Sequence, residues 1–154
     1  MKLLQKIPIK YALLMCGLVA ICLTMMEVTK QNQTFDKSPF AAFFIMIAPF
    51  GVWYLGLREY KKHLKGKMTY KQGLRESFNI ATVYAILSPF IFLFYYVFIN
   101  PAIVASVREV YQLTGATDLM VIMTDMSVQF VSSIIIFTLY GAIISFFLKS
   151  KKAK

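Results

Sequence analysis

Residues 128–148 read VQFVSSIIIFTLYGAIISFFL, a run without one charged side chain. A helix rises about 1.5 Å per residue, so the run crosses a hydrocarbon core of about 30 Å with little slack. Within lipid it has to be helical, because a lone strand would leave its backbone groups without partners. Three other stretches have the same character, 9–26, 39–57 and 78–99, each bounded by charge or by turn chemistry. The expected fold is therefore all-α: an integral membrane four-helix bundle forming one domain over 1–154. A basic loop at 58–77 joins the second and third helices, and a segment at 100–127 joins the third and fourth.

Composition excludes the alternatives. Of the 154 residues, 58% are hydrophobic and 16% charged, and the mean hydropathy is +0.63. A soluble domain of this size cannot hide that much apolar surface. A disordered chain needs few apolar residues and many charges, and a disulfide-stapled secreted miniprotein needs far more than two cysteines.

The basic residues sort by side. Lys2, Lys6 and Lys10 precede the first span. Arg58, Lys61, Lys62, Lys65, Lys67, Lys71 and Arg75 follow the second, and Lys149, Lys151, Lys152 and Lys154 form the tail. Those are fourteen of the 17 Lys and Arg residues, leaving Lys30, Lys37 and Arg108 for the opposite side beside Glu27, Asp36, Glu109, Asp118 and Asp125. The positive-inside rule makes both termini and the loop 58–77 cytoplasmic, which requires an even number of spans. The first span also has the charged and apolar regions of a signal peptide, but no small-x-small cleavage pattern follows it, so its retention is expected. Cys16 and Cys22, six apart, face different sides of a helix and are expected to pack rather than to pair or bind metal.

The connections carry local signals. Thr69-Tyr70-Lys71-Gln72 fits a capping box, so the third helix is expected to begin near Tyr70. Tyr70, Leu74 and Phe78 then share a face suited to the headgroup level, with Lys71 and Arg75 in water. Asn100-Pro101 reads as a helix start and Gly115 as a stop. Ile103, Val107, Val110 and Tyr111 form one stripe, and Leu119, Ile122, Met123 and Met126 a second. The expectation is an external helical hairpin over 101–127, the alternative being two helices flat on the outer leaflet. Pro49 and Pro89 sit in the matching contexts Ile47-Ala48-Pro49-Phe50 and Leu87-Ser88-Pro89-Phe90. Such a match is seen in the inverted repeats of some transporters, but prolines in membrane helices serve packing as readily.

Reactive chemistry is sparse. No ionisable residue is expected deep in a span, with Glu27 and Asp125 placed at the outer edges within reach of water. His63 has no cysteine or second histidine near it, and there is no phosphate-binding glycine loop or nucleophile elbow. No catalytic, cofactor-binding or metal-binding residue is expected, and no cofactor. Asn79, Thr82, Ser88, Ser132, Ser133, Thr138 and Ser145 read as interhelical hydrogen-bonding groups, while Ala81 with Ala85 and Gly141 with Ser145 let helices approach closely. The basic loop suits anionic lipid headgroups rather than nucleic acid, and orientation alone accounts for its charges, so no specific site is expected there.

Gly56-Leu57-Arg58-Glu59-Tyr60, then Gly66-Lys67-Met68-Thr69-Tyr70-Lys71-Gln72-Gly73 and later Ile99-Asn100-Pro101, resemble the bacterial membrane family known as domain of unknown function 4199. The resemblance implies four membrane helices, a basic loop ending in a Gly-x-x-Ser/Thr-aromatic-x-Gln element, and an Asn-Pro at the outer end of the third helix. It also implies a multi-pass place in the bacterial inner membrane, and it brings no activity. The expected role is that of a non-enzymatic accessory or interaction component, associating with a protein partner or a second copy. A small oligomeric transporter or channel is the alternative.

Overall fold

A computed structural model describes residues 6–28 and 47–150. Residues 39–46 of the expected second span lie outside the described residues, as do Lys2, Lys30, Asp36, Lys37 and the lysines beyond Ser150. Every described element is helical: α1 (Lys6–Val28), α2 (Ala48–His63), α3 (Tyr70–Phe94), α4 (Ile103–Val110) and α5 (Asp118–Leu148), with a π-helical turn, Tyr95–Ile99, continuing α3. Among the described residues three stretches are long and apolar enough to cross a membrane: Lys6–Val28, Tyr70–Ile99 and Asp118–Leu148.

The capping box decides where α3 begins. The Gln72 amide donates to Thr69 Oγ1 at 3.2 Å and the Thr69 amide donates to Gln72 Oε1 at 2.9 Å, so two otherwise orphaned donors satisfy each other's side chains. Two helices stop without glycine. Lys65 at the end of α2 (φ 52°) and Gln112 at the end of α4 (φ 54°) take the left-handed position. In each case the following amide reaches back five residues, Gly66 to the Lys61 carbonyl at 2.9 Å and Leu113 to that of Arg108 at 3.0 Å.

α3 packs along α5 on one side and α1 on the other, and α2 touches all three. The α3–α5 contact rests on a reciprocal pair of small residues. A Cβ built on Gly141 would fall 1.4 Å from Ser77 Oγ, and one built on Gly73 would fall 2.5 Å from Ser145 Oγ. Gly73-x-x-x-Ser77 therefore faces Ser145-x-x-x-Gly141 running the other way, and the backbones close to a distance no larger side chain permits. At the centre Trp53 of α2, fully buried, stacks on Phe137 at 4.7 Å, with Tyr84 edge-on to Phe137 at 5.1 Å. A second core gathers Leu23, Tyr95, Tyr96, Val104, Val121 and Ile122 at the opposite end.

Several expectations need correction. α4 begins at Ile103 and ends at Val110, before Gly115, because Gln112 turns the chain first. The stripes hold in part: Ile103, Val107, Ile122 and Met126 pack in the second core together with Val104 and Val121, whereas Val110 is 76% exposed and Leu119 and Met123 also face outward. Of the span hydroxyls, Thr82 and Ser132 donate to carbonyls of their own helices, of Phe78 at 2.9 Å and of Val128 at 2.6 Å. The hydroxyls of Thr138 and Ser145 are buried without a partner. Ser77, which was not among the expected groups, has its hydroxyl cross from α3 to α5, donating to the Phe137 carbonyl at 3.4 Å. Cys16 and Cys22 are free and buried, packed as expected.

Candidate functional site

The π-helical turn after α3 opens on the tyrosine pair Tyr95-Tyr96, whose adjacent side chains leave the helix in different directions. The two hydroxyls consequently reach different carboxylates. Tyr96 donates to Asp125 Oδ2 at 2.6 Å, while Tyr95 donates to Glu27 Oε2 at 3.1 Å. Asp125 receives two more donors, Gln129 Nε2 one turn further along α5 at 2.9 Å and the Tyr111 hydroxyl at 2.8 Å. Asn100 Nδ2 donates to Glu27 Oε2 at 2.9 Å, so its side chain ties α1 to the end of α3 instead of capping α4.

Asp125 is 5% exposed, which corrects the expectation of a water-exposed edge position. Its hydrogen bonds come from uncharged donors, for the ion pairs among the described residues are Lys10–Glu59 and Arg108–Asp118. Three donors take the place of the water a carboxylate would otherwise hold, which offsets much of the cost of burying it. Tyr111, in the turn after α4, has its phenol pushed up to about 12, first by burial and then because it donates to the Asp125 carboxylate. Chemically, the arrangement gives each carboxylate its own set of neutral donors, Tyr95 and Asn100 for Glu27 and Tyr96, Tyr111 and Gln129 for Asp125. Among the described residues no group of three or more His, Cys, Asp or Glu side chains is placed to hold a metal ion.

Sequence reasoning found the acids and missed the cluster, because its donors come from three separate places, the end of α3, the turn after α4 and α5. The adjacent Tyr95-Tyr96 pair, next to an Asn-Pro, was the available signal.

A second polar region lies at the other end of the helices. Lys10 Nζ sits 2.6 Å from Glu59 Oε2, and the Tyr11 hydroxyl donates to that same oxygen at 2.6 Å. Both donors hold the Glu59 carboxyl below its usual range, the Lys10 contact contributing most. Lys61 Nζ donates to the Leu148 carbonyl at 2.7 Å and so satisfies the end of α5, where a cation also suits the helix dipole. Ser150 closes the region, its amide donating to the Met68 carbonyl at 2.9 Å and its hydroxyl to the Gly66 carbonyl. Beside this clasp an open hollow of about 520 Å³ is lined by Tyr54, Arg58, Lys61, Lys62, Lys65, Gly66 and Leu148. The buried Glu76 lies in another, of about 610 Å³, near Tyr60, Arg75 and Asn79.

This helical, largely apolar chain with polar clusters at both ends matches one family model over residues 10–150, and it belongs to that family. The family is described as "Protein of unknown function (DUF4199)". No curated protein and no solved structure matches the chain.

Proposed function

We propose that the chain is a non-enzymatic, multi-pass component of the bacterial inner membrane that works by associating with lipid or with other proteins. It spans the bilayer four times as a helix bundle and keeps both termini in the cytoplasm. The 101–127 segment forms an external hairpin in which α4 lies against the start of α5. The observation that carries this reading is where the apolar side chains point. In the most apolar stretch of α5 only 22% of residues are buried within the protein, and in that of α3 only 33%. Phe90, Phe98, Leu139 and Phe147 stand exposed around the helices, which water would penalise and lipid would not.

A small oligomeric transporter or channel is the second reading, favoured by one observation, the burial of Asp125 among uncharged donors. Reconstitution separates the two. Under the first reading, sealed vesicles containing the full chain hold proton and potassium gradients as long as protein-free vesicles do. A leak that the chain causes, and that Asp125→Asn abolishes, would overturn that reading in favour of the second.

A further inference from the structure

From the hollow beside the end of α5 we infer that this chain has a defined site for one anionic phospholipid headgroup, seated between α2 and the loop that follows it. Arg58, Lys61 and Lys62 sit at helical spacings of three and four residues, so one face of α2 carries three cations into the same hollow. Lys65 adds a fourth from the left-handed turn that ends the helix. Among the described residues no acid lines this hollow. Glu59, the carboxylate nearest in sequence, is engaged by Lys10 and Tyr11 on another side of α2. Four like charges around one small volume repel one another unless an anion neutralises them.

Arg58, Lys62 and Lys65 stand exposed at the rim, and two points of the wall are fixed. Lys61 is fixed by the Leu148 carbonyl, and the Lys65-Gly66 turn is pinned from behind by the Ser150 hydroxyl. The apolar margin selects a lipid over a free anion. Tyr54, 40% exposed, lies one turn before Arg58, and Phe50, 41% exposed, lies one turn before Tyr54. Along α2 a lipid-compatible stripe thus leads into the cationic hollow, as acyl chain leads into headgroup. Charges spread over a loop would attract anionic membrane diffusely, whereas charges converging on one hollow bind a countable molecule.

The inference rests on the membrane reading above and is tested on the full chain purified in mild detergent. Native mass spectrometry would count retained phosphatidylglycerol against phosphatidylcholine. The pocket variant Arg58→Gln/Lys62→Gln should lose affinity for one phosphatidylglycerol by on the order of tenfold. The control Lys67→Gln/Lys71→Gln makes the same charge change outside the hollow and should change it less than about twofold. If the first pair fails to fold, Lys62→Gln/Lys65→Gln gives the same comparison and leaves the helix interior untouched. Equal losses in pocket and control variants, or no countable phosphatidylglycerol, would overturn the site. Saturable binding of inorganic phosphate alone, as tight as that of the phospholipid, would overturn the lipid assignment. Reporter fusions in the same variants keep the two failures apart: a misplaced terminus sinks the topology, while lost selectivity with the termini in place sinks only the site.

Discussion

Gly141 and Gly17 look alike in the sequence, each a glycine within an apolar helix, and the structure gives them opposite duties. A methyl group on Gly141 would lie 2.1 Å from Ser77 Cβ, a clash that turning the serine hydroxyl cannot relieve, so α3 and α5 would have to part. Gly141→Ala is expected to cost about 1 to 3 kcal/mol, seen as a lower unfolding temperature in detergent. Gly17 has nothing within 4 Å of such a methyl, and Gly17→Ala should be neutral or slightly stabilising by the same measurement. Asp125 gives a second test at this scale. Asp125→Ala leaves Tyr96, Tyr111 and Gln129 without their common acceptor and should cost roughly 2 to 4 kcal/mol, against less for Asp125→Asn, which keeps one acceptor oxygen. The pH dependence follows from Tyr111. Its pKa in the folded chain is raised, from 10.0 to about 12. The stability it contributes is therefore complete below pH 10 and lost as pH rises through 12. Tyr111→Phe should flatten that alkaline loss in a pH series of unfolding temperatures, and an unchanged slope would contradict the assignment.

Helix ends are where local chemistry acts on whole elements. Thr69 starts α3 with a reciprocal capping box, so Thr69→Ala should lower stability by about 1 kcal/mol. Amide exchange would rise first at Tyr70 through Gln72. Gln112 ends α4 in a left-handed conformation that costs a side-chain-bearing residue about 1 kcal/mol. Gln112→Gly is expected to recover about that amount, and a lower unfolding temperature would show that the glutamine side chain has a role of its own. These two ends also show what could be read in advance. The capping box was legible because Thr and Gln three apart state their own geometry. The end of α4 was not, because Gly115 carried the familiar signal while an ordinary glutamine took the strained position. The stripes of α4 and of the first turns of α5 were right in part: Ile103, Val107, Ile122 and Met126 join the second core, while Val110, Leu119 and Met123 face outward. Val104 and Val107, three apart, share the face that meets Tyr95, Tyr96 and Val121, and the sequence stripe held Val107 but not Val104.

For the molecule as a whole, apolar run lengths sufficed to anticipate an all-helical chain with helices able to cross a membrane, because length and hydropathy are set residue by residue. The clusters at its two ends needed the fold. Asp125 meets its donors only when the π-helical turn after α3, the turn after α4 and α5 itself come together. Gly73 and Ser77 become a contact only when the antiparallel α5 brings Ser145 and Gly141 opposite them. The central claim is that the chain crosses the inner membrane four times with its basic segments on the cytoplasmic side, as fourteen of the 17 basic residues argue. Paired reporter fusions test it directly, one reporter active only in the cytoplasm and one active only outside, each placed after Lys154 and, separately, at Gly115. The account predicts cytoplasmic activity alone after Lys154 and external activity alone at Gly115. External activity after Lys154, or both positions on one side of the membrane, would contradict it.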